Sequence, residues 1–178
     1  MVITLVSEQF TLSEGIGGVL DADTAALLAG EGPLPAGGSI DVTMQRPAPI
    51  VACLSVRVTR KSPPPLEQTM KCLVYATVTA EDLAAEQAVI DIGLRAPVEI
   101  RGIDREGQPL RHGKAGVASM TIRDYSTEFA LDAQGVTWIL LQPGSHTVYL
   151  RGGRAVYSRI EVPDTPADEP IVVTLRAE

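Results

Sequence analysis

Two histidines, two cysteines and a scatter of acids are the residues with which this chain could do chemistry. A zinc site needs three or four such ligands converging, often at tight local spacing. His112 and His146 lie far apart, Cys53 and Cys72 belong to another region, and neither C-x-x-C nor H-x-E occurs. Nucleophilic catalysis needs Ser or Cys beside a base and an orienting group. Cys53 has no His near it in sequence, and both G-x-S-x-G and a phosphate loop are absent. Asp104, Glu106 and Asp132 could offer oxygens to Ca²⁺ at one end of a β domain, although acids in turns are ordinarily just solvated. The expectation is a chain that is not an enzyme and holds no metal or cofactor.

What remains is surface chemistry. Arg111, His112 and Lys114 form a basic run close to Arg101 and Arg105, and Arg151, Arg154 and Arg159 form another. Cations at turns and strand edges also discourage edge-to-edge aggregation. Pro63, Pro64 and Pro65 form a stiff, polyproline-like tip between two strand patterns. These residues, Pro63, Pro64, Pro65, Arg111, His112 and Lys114, are the candidate interaction surface, and the partner they imply is another protein.

Composition limits the alternatives. With 178 residues, 45% of them apolar, the chain can bury a core and need not be disordered. Aromatics are only 4%, so Val, Ile, Leu and Ala must fill that core, and 16 Gly and 13 Pro suit a turn-rich β protein. A net charge of −7 argues against nucleic acid and against an anionic membrane as partners. No apolar run approaches the ~20 residues of a transmembrane helix. Met1–Ser7 lacks a basic region and a long apolar core, so it reads as a strand and not a signal peptide. The expected site of synthesis is the cytoplasm, with later incorporation into a virion or injection particle as the context.

The elements that would position these groups follow from turn residues. Asp132-Ala133-Gln134-Gly135 and Pro143-Gly144 bracket Val136–Leu141 and introduce Ser145–Leu150, two short strand patterns without a 3.6-residue period. Strands are also predicted at 98–103, 115–122, 127–131, 155–162 and 170–175, about seven in all, as a β-sandwich requires. Upstream, alternation predicts strands at 2–6, 39–44 and 88–94 and a hairpin of 50–59 with 70–79. Its register places Cys72 opposite Leu54 or a neighbour of the same parity and turns Cys53 to the other face, so two free thiols are expected. Glu14–Gly18 reads as a flexible turn and 30–38 as a loop. Short helices are predicted at 24–29, capped by Asp23, and after Thr79, where Asp82 completes a capping box. The boundary is expected at Arg95-Ala96-Pro97, dividing a β-rich region 1–95 from a sandwich 96–178.

The string V-E-I-R-G-I-D-R-E-G-Q-P-L, followed by L-D-A-Q-G-V-T-W-I-L-L-Q-P-G-S-H-T-V-Y-L, resembles the carboxypeptidase regulatory-like, or prealbumin-like, β-sandwich family. Asp104, Gly107, Pro109 and Leu110 match its first turn; Asp132, Gly135, Leu141, Pro143 and Gly144 match the next two. The resemblance covers about residues 97–176 and concerns turn and core positions, so it implies a fold and no chemistry. Intradiol dioxygenases and transthyretin-like hydrolases share the architecture, but the close His pair of the first and the His-containing and C-terminal Tyr-Arg-Gly-Ser motifs of the second are absent. Domains of this family usually brace enzymes, extend surface fibres or mediate assembly. The resulting expectation is a structural protein, a homo-oligomer or part of a larger assembly. The alternative is an accessory module for carbohydrate or calcium, which an exposed Trp138 or Tyr157 would favour.

Overall fold

The computed structural model describes residues 1–178 without 9–14, 25, 35–37, 61–65, 119–125 and 166–168; at 15–17, 30–34, 53, 55–60, 66–67 and 126–127 it describes the backbone alone. Pro63, Pro64 and Pro65 lie outside the described residues. The chain is mainly β and divides into two compact units, Met1–Gly93 and Leu94–Glu178.

The first unit contains β1 (Val2–Val6), β2 (Gly15–Asp21), β3 (Leu27–Leu34), β4 (Ser39–Asp41), β5 (Ala48–Arg60), β6 (Leu66–Val78), α1 (Ala80–Ala84) and β7 (Gln87–Asp91). β1 lies between β4, antiparallel, and β7, parallel. β2 lies antiparallel between β3 and β5, and β5 pairs antiparallel with β6. Strand period decides what is buried: β1 buries Ile3 and Leu5, β7 buries Ala88 and Ile90, and β6 buries Met70, Cys72 and Val74. β5 and β6 pair with Leu54 opposite Cys72 and Cys53 opposite Leu73, one of the registers of the parity that the alternation of apolar residues predicts. Cys72 is buried and unbridged; the Cys53 side chain lies outside the described residues. Thr79 caps α1 by accepting from Asp82 N, while the Asp82 carboxylate accepts from Thr79 N at 2.8 Å. The Thr79 hydroxyl, which donates to Asp82 Oδ2 at 2.7 Å, and then the Thr79 N–H hold the Asp82 carboxyl below the usual aspartate range.

Three expectations for this unit fail. The helix expected at 24–29 is absent: Asp21 Oδ1 accepts from the backbone N–H of Asp23 and Thr24, both at 3.0 Å. That closes a turn, and the chain then reverses into β3 against β2. Of the flexible turn expected at 14–18, residues 15–18 are strand, as are 30–34 of the loop expected at 30–38, because Gly15–Gly18 pairs with Cys53–Val56 and Gly15–Gly17 pairs with Gly32–Leu34. Ladder partners override the low strand preference of glycine.

The second unit contains β8 (Ala96–Ile103), β9 (Lys114–Ala118), β10 (Ser126–Ala130), β11 (Val136–Leu141), β12 (Gly144–Arg151), β13 (Val156–Val162) and β14 (Ile171–Arg176). β8 lies between β11, antiparallel, and β14, parallel. β9 lies antiparallel between β10 and β12, and β12 pairs with β13. The two arrays face each other across one core. Val98, Ile100, Ile139 and Val173 come from the first; Ala115, Val117, Val148, Leu150 and Val162 come from the second.

The two units have the same strand order. In each, the first strand lies between the fourth (antiparallel) and the seventh (parallel), and the order third, second, fifth, sixth makes the other array. Every strand pairing in one unit has its counterpart, with the same direction, in the other. The chain is therefore a structural tandem, with α1 as an addition between the sixth and seventh strands of the first copy. Because first and last strands run parallel, each unit has a head, where both begin, and a tail, where both end.

Candidate functional site

The tail of the second unit is held together by its turns. Gly107 N donates to Asp104 O at 3.1 Å, and Gln108 N donates to Asp104 Oδ1 at 2.7 Å, which fixes the loop after β8. Asp132 Oδ1 accepts from Gln134 N and Val136 N at 2.9 and 2.8 Å, which fixes the loop before β11. The loops lock together through Gly102 N to Gly135 O at 2.8 Å and Leu110 N to Gly102 O at 2.9 Å. Gly135 has φ +74°, and a Cβ there would lie 2.7 Å from Gly102 O and 2.9 Å from Leu110 N. Only glycine fits that position. The carboxylates of Asp104 and Asp132 thus hold their own turns. Among the described residues no three His, Cys, Asp or Glu side chains converge on a point.

Leu110 then joins two basic loops. Its side chain occupies the space left by Gly113 and Gly152: a Cβ at either would lie 2.5 or 2.6 Å from Leu110 Cδ2. This draws Arg111 and His112, before β9, towards Gly152 and Gly153, after β12. The ladder completes the arrangement by placing Arg151 opposite Lys114. Glu128, on β10, receives Arg151 Nη1 at 2.9 Å and Lys114 Nζ at 3.6 Å. The Arg151 hydrogen bond, with the charges of Arg151 and Lys114, holds the Glu128 carboxyl below the usual glutamate range; Glu128 in turn raises Arg151. Arg154 approaches Glu178 at 3.7 Å. Arg111, Lys114, Arg151 and Arg154 are all exposed; Lys114 and Arg151 share Glu128, and Asp104, Glu106 and Asp132 lie on the neighbouring loops of the same tail.

Of the residues predicted from sequence, Arg111, His112 and Lys114 are brought together here. His146 is at the other end of the unit, its Nε2 2.7 Å from Gln142 O, so the two histidines do not form a pair. Sequence reading missed Glu128 as the carboxylate that two cations share. It also missed the aromatic pair beside it: Tyr149 lies opposite Tyr157 and Gly116 on the outer face, with ring centroids 5.8 Å apart. Tyr149 is buried and Tyr157 is 63% exposed, whereas Trp138 is half-buried. The available signal was register: with β9 laid against β12, both basic runs fall on one edge.

No family model matches the chain, and no curated protein matches it. Solved structures do. The chain is similar to the Bacillus anthracis TIE protein, with 10% identity and a TM-score of 0.37, over 99% of this chain and 39% of that one. It is similar to the shaft pilin spaA from Lactobacillus rhamnosus GG, with 9% identity and a TM-score of 0.36, over 99% and 96% of the two chains. A Streptococcal ancillary pilin aligns at 11% identity and a TM-score of 0.32, over 99% and 61%. The chain thus spans about two fifths of the TIE protein. Scores this low assign neither a family nor a function, and the surface is read from its own geometry. No helix among the described residues is long and apolar enough to cross a membrane.

Proposed function

We propose that this protein is a non-enzymatic structural component that works by protein–protein contact within a larger assembly. The observation that carries the reading is the surface at the tail of the second unit. There, two loops distant in sequence are clamped by Leu110 so that four exposed cations stand together, in a chain of net charge −7. Charge-bearing, rigidly held surfaces steer association and fix register more than they add raw affinity. The same proposal assigns the second unit to the prealbumin-like sandwiches, because Asp104, Gly107, Pro109, Leu110, Asp132 and Gly135 act as turn and packing residues. It extends that assignment to residues 1–93 through their identical strand order. A phage-like particle or injection apparatus is the setting proposed for such a component.

Native mass by light scattering across a dilution series tests the reading. A concentration-dependent oligomer is the expected outcome; a monomer at every concentration removes self-assembly as the function. The exposed Tyr157 ring, tilted at 42° to that of Tyr149, favours a second reading, a carbohydrate-binding face. Titration with oligosaccharides, read as Tyr-ring chemical-shift changes lost in Tyr157→Ala, separates it from the first.

A further inference from the structure

The second array of the second unit has two edges, β10 and β13. β13 pairs with β12 over seven residues without a register shift. Among the described residues no strand pairs with its other side. A free strand edge is a row of unpaired N–H and C=O groups, and proteins usually blunt it with Pro, Lys, a bulge or brevity. Val156–Val162 has none of these. Its inner side is open as well. Val156, Ser158 and Ile160 face the core side but stay half-buried, whereas Leu150 and Val148, opposite the first two, are fully buried. Ile160 packs against the margin of the core and is left partly uncovered there.

Resting on the assembly reading above, we infer that the β13 edge pairs antiparallel with β13 of a second copy, with Ile160 opposite Ile160 on the two-fold axis. The side chains choose this register. Tyr157, Arg159 and Glu161 point outwards and are exposed, and Arg159 Nε lies 3.3 Å from Glu161 Oε1 of its own strand. With Ile160 on the axis, Arg159 of each copy stands opposite Glu161 of the other. Four charges of alternating sign then share one outer face, and the Arg159–Glu161 contact within each strand persists beside the new ones. On the inner face the two half-buried Ile160 side chains cover each other, and Ser158 stands opposite Val162. Moving the axis by one residue puts Arg159 opposite Arg159 or Glu161 opposite Glu161, and like charges directly opposite are destabilising. The contact is isologous and closes on two copies. It joins the four-stranded array of each copy into one continuous sheet.

Charge exchange in the full chain tests the edge and its register together. Arg159→Glu and Glu161→Arg are made singly and then combined. Both positions are exposed, and circular dichroism checks that each variant folds. Sedimentation velocity is read over a concentration series at low salt. Amide hydrogen exchange of the peptide 156–162 is followed by mass spectrometry at the two ends of that series. The wild type should associate, and exchange in 156–162 should slow as it does. Each single change places like charges opposite each other twice, so association should weaken at least about tenfold. The combined variant restores opposite charges in the same register and should associate as the wild type does. Association that ignores both single changes, with exchange in 156–162 the same at every concentration, overturns the inference and leaves the assembly reading standing. Loss in both single variants without recovery in the combined one also overturns it. A wild type that stays monomeric throughout overturns the inference and self-assembly together.

Discussion

Gly107 and Gly135 share a backbone conformation and differ in surroundings, so alanine at each separates strain from collision. Gly107 has φ +82° with nothing within 4 Å of a Cβ; Gly135 has φ +74° with Gly102 O, Leu110 N and Pro109 Cα at 2.7, 2.9 and 3.2 Å. Left-handed backbone costs an L-residue roughly 1 kcal/mol, and this applies to both. The entropy that alanine removes from the unfolded chain also applies to both and cancels in the comparison. At Gly135 the obstructing atoms are backbone, so the loops must part. That places at risk the hydrogen bonds Gly102 N to Gly135 O and Leu110 N to Gly102 O, each worth about 1 kcal/mol. Gly135→Ala should therefore lose about 3 kcal/mol and Gly107→Ala about 1 kcal/mol. For a unit of this size the difference of about 2 kcal/mol corresponds to a gap of roughly 8–16 °C in melting temperature. Trp138, the only tryptophan, lies in β11 of the second unit, and its fluorescence during thermal and urea unfolding reports that unit. Equal losses in the two variants would refute the reasoning.

Three further outcomes are expected. Leu110→Ala, at a half-buried position, should cost about 1–2 kcal/mol in the same urea assay and should weaken association at low salt, because the two basic loops lose their shared packing. Glu128 has a folded-state pKa below its unfolded value, so its contribution is fully present above the unfolded value and is lost as pH falls through the folded one. Glu128→Gln should therefore lower the urea midpoint at pH 7, with the gap to wild type closing in the acid range below the ordinary glutamate pKa. Cys72 is buried, so iodoacetamide followed by peptide mass spectrometry should find it unmodified in native protein and modified once urea unfolds the first unit. Rapid modification without urea would contradict the packing of β6.

The second unit was the more legible half because turn residues punctuate it. Asp132, Gly135, Pro143 and Gly144 mark where strands stop, and alternating apolar residues between them specify faces. The long hairpin of β5 and β6 was legible for a related reason: extended alternation on both strands allows few registers. β2 and β3 were hidden because Gly15, Gly17, Gly18, Gly30 and Gly32 have no side chains to show a period, and their strand state depends on ladder partners distant in sequence. Asp23 resembled a helix cap, yet Asp21 two residues earlier folds the chain back first. The candidate surface was half legible. Arg111, His112 and Lys114 stood out as a local run, but their association with Arg151 and Arg154 depends on β9 pairing with β12. Glu128 carries no sequence signal for its role. The tandem was invisible because the two units share an order of strands and no repeated string of residues.

The parallel pairing of first and last strands in each unit has a mechanical consequence. β1 matches β7 over five residue pairs, and β8 matches β14 over six. A tension applied through the backbone pulls β1 from the head and β7 from the tail, and likewise β8 and β14, so the ladder between them is loaded along its length. Its hydrogen bonds must then slide and break together, where a hairpin pulled from its open end would release them one at a time. Each unit is thus wired as a shear joint, and the two joints lie in series along a single chain.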